Sequence, residues 1–76
     1  MTELEWLDIF ADNLLSLLHD ARMTRRELAD ELGISEAAVS YYINKRKIPS
    51  FRILLKMAYI FDCSLDELVD FGEVIE

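Results

Sequence analysis

One pattern recurs four times in this chain of 76 residues and leaves little freedom in how it folds. An apolar residue precedes a hydroxyl residue, and a second apolar residue stands four positions after the hydroxyl. The instances are Met23-Thr24 with Leu28, Ile34-Ser35 with Val39, Pro49-Ser50 with Leu54, and Cys63-Ser64 with Leu68. A serine or threonine oxygen accepts an otherwise orphaned amide at a helix start, and the two flanking apolar side chains staple the entering chain to the first turn. Glu27 and Glu67 stand three residues after Thr24 and Ser64, the spacing of a reciprocal capping box. Four capped starts predict helices at about 25–32, 36–44, 51–61 and 65–71, joined by connections short enough to force close packing.

A fifth helix precedes them. Over residues 4–19, Leu4, Leu7, Phe10, Ala11, Leu14, Leu17 and Leu18 fall at helical spacing, and the early acids Glu3, Glu5 and Asp8 suit a positive helix start. Trp6, Ile9 and Leu15 widen the apolar arc, which implies either deep packing, the favoured reading, or contact with another chain. In the 51–61 helix, Phe51, Leu54, Leu55, Ala58 and Phe61 are expected to line the inner face, with Ile53, Met57 and Ile60 broadening it and Arg52 and Lys56 one turn apart. The fold class is therefore all-α, a compact five-helix arrangement in a single domain over 1–76. After Gly72, Val74 and Ile75 make a short apolar-acidic tail at 72–76, able to fold back on the core or to bind a second copy.

Composition narrows the classes. Apolar residues make up 53% and charged residues 30%, which argues against disorder and against a fibre. No run is long enough to cross a bilayer and no secretory leader pattern opens the chain, so a cytoplasmic location is expected. Cys63 has no second thiol to pair with and reads as a small half-buried apolar side chain. His19 stands near the end of the first helix, where it suits the terminal carbonyls better than a metal or substrate. No nucleophile with a base, metal-ligand set or glycine-rich phosphate loop is present, so no enzymatic activity, cofactor or metal is expected.

The net charge of −7 is unfavourable for nucleic acid until it is mapped. All eight Lys and Arg residues lie between positions 22 and 56 with only four acids, giving that segment +4, while residues 1–21 carry −5 and residues 57–76 carry −6. Solvated helix faces would explain such a distribution; so would a basic surface with acidic flanks.

The basic segment contains a tight helix pair over about 24–44. Gly33 suits the left-handed turn that ends one helix, and Ser35 restarts the next two residues later. Leu28, Ala29, Leu32, Ile34, Val39 and Ile43 take the apolar positions; Ala29 is small enough to admit a close neighbour. The second helix then turns Glu36, Ala37, Ser40, Tyr41 and Asn44 outward. Short polar and methyl groups on one exposed helix fit a major groove, with the cations Lys45, Arg46 and Lys47 beside it for backbone phosphates. Glu36 could accept from a cytosine amino group, yet it equally suits the positive start of its own helix.

These residues resemble the lambda-repressor and Cro type of helix-turn-helix transcriptional regulators. The resemblance rests on Thr24, Glu27-Leu28-Ala29, Leu32-Gly33-Ile34-Ser35, Val39-Ser40, Pro49-Ser50, Leu54, Ala58 and Ser64-Leu65-Asp66-Glu67-Leu68, and covers about residues 10–70. It implies a lambda-repressor-like five-helix fold that binds double-stranded DNA, with a recognition helix at about 35–44. Arg25 and the Thr24 helix start would touch phosphate, and Arg26 and Ser35 join Lys45, Arg46 and Lys47 in the phosphate-contact set. The base-contact set is Glu36, Ala37, Ser40, Tyr41 and Asn44.

Four positions depart from that family's pattern. Arg25 replaces a common glutamine, and Lys45 replaces a common glycine. At Lys45 either the left-handed backbone persists under strain or the loop is rebuilt, with Asn44 in the left-handed role. Leu18 and Ile43 stand where many members pair an arginine with a glutamate; a joint swap to apolar residues keeps a working core, because neither charge is stranded. A sequence-specific regulator, repressor-like and homodimeric through the tail and Trp6 or Ile9, is the leading expectation. A protein-interaction module that uses the acidic ends or the apolar first helix to hold a protein partner is the rival.

Overall fold

The computed structural model describes residues 3–69, with side chains from 5 to 68. Five helices follow one another: α1 (Glu3–Ala21), α2 (Arg25–Leu32), α3 (Glu36–Ile43), α4 (Phe51–Ile60) and α5 (Leu65–Val69), and no strand occurs among the described residues. The expected starts hold at all four capped positions. Thr24 accepts the Glu27 amide at 3.0 Å while Glu27 Oε1 accepts the Thr24 amide at 2.8 Å. Ser64 and Glu67 repeat that exchange at 3.1 and 2.8 Å. Ser35 and Ser50 accept from Ala38 and Ile53. Residues 70–71 of the last expected helix and the 72–76 tail lie outside the described residues.

The four longer helices end in one way. One or two residues beyond each stands a positive φ: Arg22 at 53°, Gly33 at 74°, Lys45 at 63° and Asp62 at 52°. Around each, two amides turn back on the last carbonyls, as in Met23 to Leu18 (3.0 Å) with Arg22 to His19 (3.1 Å), and Arg46 to Tyr41 (2.8 Å) with Lys45 to Tyr42 (3.2 Å). This is the Schellman closure, which satisfies carbonyls that the helix leaves orphaned. After α1, α2 and α4 the next residue is Met23, Ile34 or Cys63, which both packs on the core and staples the following helix. Three tight connectors of one design result. The loop from α3 to α4 is longer and delays its cap to Ser50, with Pro49 buried before it.

The core joins Leu7, Phe10, Leu14 and Leu18 of α1 to Leu28, Ala29 and Leu32 of α2, Val39, Tyr42 and Ile43 of α3, Met57 of α4 and Leu68 of α5. α3 packs on both α1 and α2, and α4 on α2 and α5. Leu18 and Ile43, at 5% and 6% exposure, are both core members, so the apolar pair expected to keep a working core is buried. Asn13 of α1 donates to the Leu68 carbonyl of α5 at 2.8 Å, tying the first helix to the last. The wide arc of α1 is resolved in favour of packing for Trp6, which lies against the core and stacks on Phe10 with centroids 5.3 Å apart, while Leu15 stays 43% exposed.

One expected face is corrected. On α4 the inner positions are Met57, fully buried, with Ile53, Leu54, Ile60 and Phe61 packed beside it; Phe51 and Leu55 point outward, at 65% and 47% exposure. Arg52 and Lys56 mark the outward side of α4, and Leu55 lies beside them at helical spacing with Phe51 next to it, so contact with α2 and α5 buries the opposite side.

Candidate nucleic-acid interface

The surface of interest is assembled by the turn at Gly33. Its left-handed backbone brings α3 back across α2, and the Gly33 amide donates to the Ala29 carbonyl at 2.9 Å. A Cβ built at Gly33 meets nothing within 4 Å, so backbone conformation alone calls for glycine there. With Val39, Tyr42 and Ile43 turned into the core, Glu36, Ala37, Tyr41 and Asn44 are exposed and Ser40 is half-buried between the two sides. The expected base-contact residues therefore share one helix face. Tyr42 belongs to the core; its spacing from Val39 and Ile43 is the signal that could have placed it there in advance.

The expected phosphate-contact residues Thr24, Arg25, Arg26, Ser35, Lys45, Arg46 and Lys47 are all exposed, at the start of α2, the start of α3 and the loop after α3. Their surroundings differ. The capping box already engages the amide and hydroxyl oxygen of Thr24, which leaves the Arg25 and Arg26 amides as the first-turn donors for an anion. Arg25 lies across α3, its Nη1 3.4 Å from the Ser40 hydroxyl. Ser35 keeps its hydroxyl proton while its oxygen accepts from Ala38.

Lys45 departs most from a simple cation row. Its positive φ means that the left-handed backbone has persisted, with Asn44 at φ −87°, so the first of the two loop alternatives is the one found. The side chain then reaches back to α1, where its Nζ sits 3.0 Å from Asp8 Oδ1. That hydrogen bond and the Asp8 and Asp12 charges raise the lysine above its ordinary value of 10.5, against a smaller opposing effect of burial. The acidic flank of α1 thus meets the basic loop directly and holds one of its three cations, while Arg46 and Lys47 stand exposed beside it. Sequence spacing gave no sign of this contact, because residues 8 and 45 meet only through the packing of α1 on α3. A second cation is similarly engaged: Lys56 Nζ donates to the Leu32 carbonyl at the end of α2, at 3.3 Å.

Among the described residues no group of acidic, histidine or cysteine side chains is placed to hold a metal ion, and no helix is long and apolar enough to cross a membrane.

The arrangement of tight turn, outward polar helix and flanking cations defines a helix-turn-helix domain, and residues 20–68 match the helix-turn-helix family. The chain belongs to the lambda-repressor/Cro-type helix-turn-helix family. It is 31% identical over 61 residues to the uncharacterized HTH-type transcriptional regulator YqaE of Bacillus subtilis, a match spanning 80% of this chain and 53% of that protein. The chain thus spans about half the length of that curated relative. A transcriptional regulator from Listeria innocua superposes with a TM-score of 0.79 at 28% identity, over 88% of this chain and 63% of the other. The SOS-response transcriptional repressor LexA from Eubacterium rectale shares the fold over the whole chain and 81% of its own, with a TM-score of 0.84 at 21% identity.

Proposed function

We propose that this chain is a DNA-binding regulator of transcription that reads double-stranded DNA in sequence-specific fashion, repressor-like, by laying α3 in the major groove. Glu36, Ala37, Ser40, Tyr41 and Asn44 face the base edges, while Thr24, Arg25, Arg26, Ser35, Arg46 and Lys47 hold the backbone on either side; Lys45 joins them only by leaving Asp8. The observation that carries this reading is the outward face of α3, polar at Glu36, Ser40, Tyr41 and Asn44, with Arg25 of α2 reaching Ser40 at its side and exposed cations in the loop beyond its end. Two half-sites one helical turn apart suit a homodimer, acting in the cytoplasm on the nucleoid, with the described fold as one domain and no catalytic step.

The test is a salt series of duplex binding, comparing the protein with a Lys45/Arg46/Lys47 triple alanine variant. Each phosphate contact contributes about 0.9 to the slope of log affinity against log salt. A variant slope shallower by about two fits Arg46 and Lys47 at phosphate with Lys45 retained by Asp8, and shallower by nearly three fits all three. Equal, negligible binding of both proteins at low salt would sink the reading and favour a protein partner for the same fold.

A further inference from the structure

The outer side of α4 takes no part in the surface just described. Phe51, Leu55 and Tyr59 lie four residues apart on one line of the helix and stand 65%, 47% and 88% exposed. Next to them, α2 and α4 leave an open groove of about 340 Å³ lined by Glu31, Leu55, Lys56, Tyr59 and Ile60. None of the outward residues of α3 lines that groove.

We propose that this face is the contact between two copies of the chain, the exposed Tyr59 of each copy entering the groove of the other. The proposal deepens the homodimer of the preceding reading and moves its interface from Trp6 and the tail to α4.

Three features favour a second copy as occupant. A protruding aromatic and an apolar groove sit side by side, so a two-fold axis near Leu55 brings knob and hole together twice with one surface. Charge points the same way. The groove itself carries both signs, with Glu31 of α2 and Lys56 of α4 among its lining residues, so two copies can meet there without a clash of like charge. A two-fold contact can set the glutamate of one copy against a cation of the other. Area is the third feature. Aromatic side chains bury roughly 150–250 Å² each, so the exposed parts of Phe51, Leu55 and Tyr59 offer roughly 350–400 Å² per copy. Doubled and extended by the polar rim, that reaches about 1,000 Å², the low end for specific contacts. An interface of this size suits a dimer that is weak in solution and reinforced when both copies engage adjacent half-sites.

Sedimentation equilibrium of the full chain tests this, with far-ultraviolet circular dichroism to show that each variant is folded. The wild type should dimerise, and Tyr59→Glu or Leu55→Glu should raise the dimer dissociation constant about 30-fold or more. Leu15→Glu, at an exposed apolar position of α1 outside the groove, should leave it unchanged. Low-salt duplex binding per copy should keep its salt slope in Tyr59→Glu, so loss of pairing is separable from loss of DNA contact. A wild type that stays monomeric both free and on DNA overturns the proposal, as does undiminished pairing in the two α4 variants. Neither result touches the DNA reading, which fails only if wild-type protein ignores duplex.

Discussion

Helices α3 and α4 share a serine N-cap, similar length and a left-handed residue beyond the last turn, yet their outer faces are chemically opposite. α3 buries large groups, Val39, Tyr42 and Ile43, and shows water short or polar ones. α4 buries Met57 and leaves Phe51, Leu55 and Tyr59 in solvent. A helix that needed only to stay folded would have no reason to expose three large apolar side chains on one line, and soluble chains rarely keep such patches without use. Small polar atoms suit a hydrated groove with its own donors and acceptors; large apolar ones suit a surface that is to be dried. The same backbone device therefore presents two faces of opposite chemistry.

The contrast depends on both helices being rigidly held, and the largest expected effect concerns how α3 is anchored. Leu18→Arg or Ile43→Glu alone should cost about 3–5 kcal/mol in chemical denaturation, because each strands a charge in the core. The double variant should recover most of that loss. Additive losses in the four-way comparison would show that the two side chains do not share one environment.

A smaller effect separates the faces by function. Tyr41→Ala or Asn44→Ala should reduce discrimination between specific and random duplex by about 1–3 kcal/mol and leave self-association untouched. Asp8→Asn probes the edge of the same face: released from its partner, Lys45 becomes available to phosphate, and the salt slope should steepen by about one. An unchanged slope would mean that Asp8 does not withhold Lys45 from DNA.

How much of this was legible in the chain follows from where the information sits. Helix starts were readable because a cap is local: Thr24, Ser35, Ser50 and Ser64 each act on an amide three residues away. The outer face of α3 was readable because its polar positions break the apolar pattern. On α4 the breaks at Arg52 and Lys56 do mark the outer side, but the large apolar Phe51 and Leu55 adjoin them, and apolar character alone assigns those two to the inside, where packing on α2 and α5 turns them out. The Asp8–Lys45 pair, the reach of Arg25 to Ser40 and the Asn13 bond to the Leu68 carbonyl are long-range contacts without a sequence signature. Which side chain meets which base depends on the duplex as well as the chain, so neither a local cap nor a periodicity encodes it.

The helix ends offer a cleaner energetic comparison. Arg22 and Asp62 hold left-handed backbone that a side chain with Cβ resists, whereas Gly33 holds it freely. Arg22→Gly and Asp62→Gly should each raise stability by up to about 1 kcal/mol, and Gly33→Ala should lower it by about 1 kcal/mol, since open space around its Cβ leaves only the backbone penalty. Urea midpoints would check this. Equal losses from all three substitutions would mean that these turns are fixed by side-chain contacts and not by φ.

The smallest effect expected is on the pH dependence of stability, and it also distinguishes the ends of the two helices. Burial first, then the Glu67 and Asp62 charges, push the Cys63 thiol after α4 above its ordinary 9.0. Burial pushes the Tyr42 phenol of α3 above 10.0, and Asp8 raises Lys45 above 10.5. In each case the folded chain holds its proton to higher pH than the unfolded chain does. The stabilisation is therefore complete below the unfolded value and is lost as pH rises through the folded one. Stability should be level from about pH 7 to about pH 8.5 and then decline, the thiol near α4 giving way before the phenol and the ammonium near α3. Cys63→Ala should delay the onset of the decline, and Tyr42→Phe should flatten only its later part. A decline that begins below about pH 8, or that keeps its onset in Cys63→Ala, would assign it to other groups.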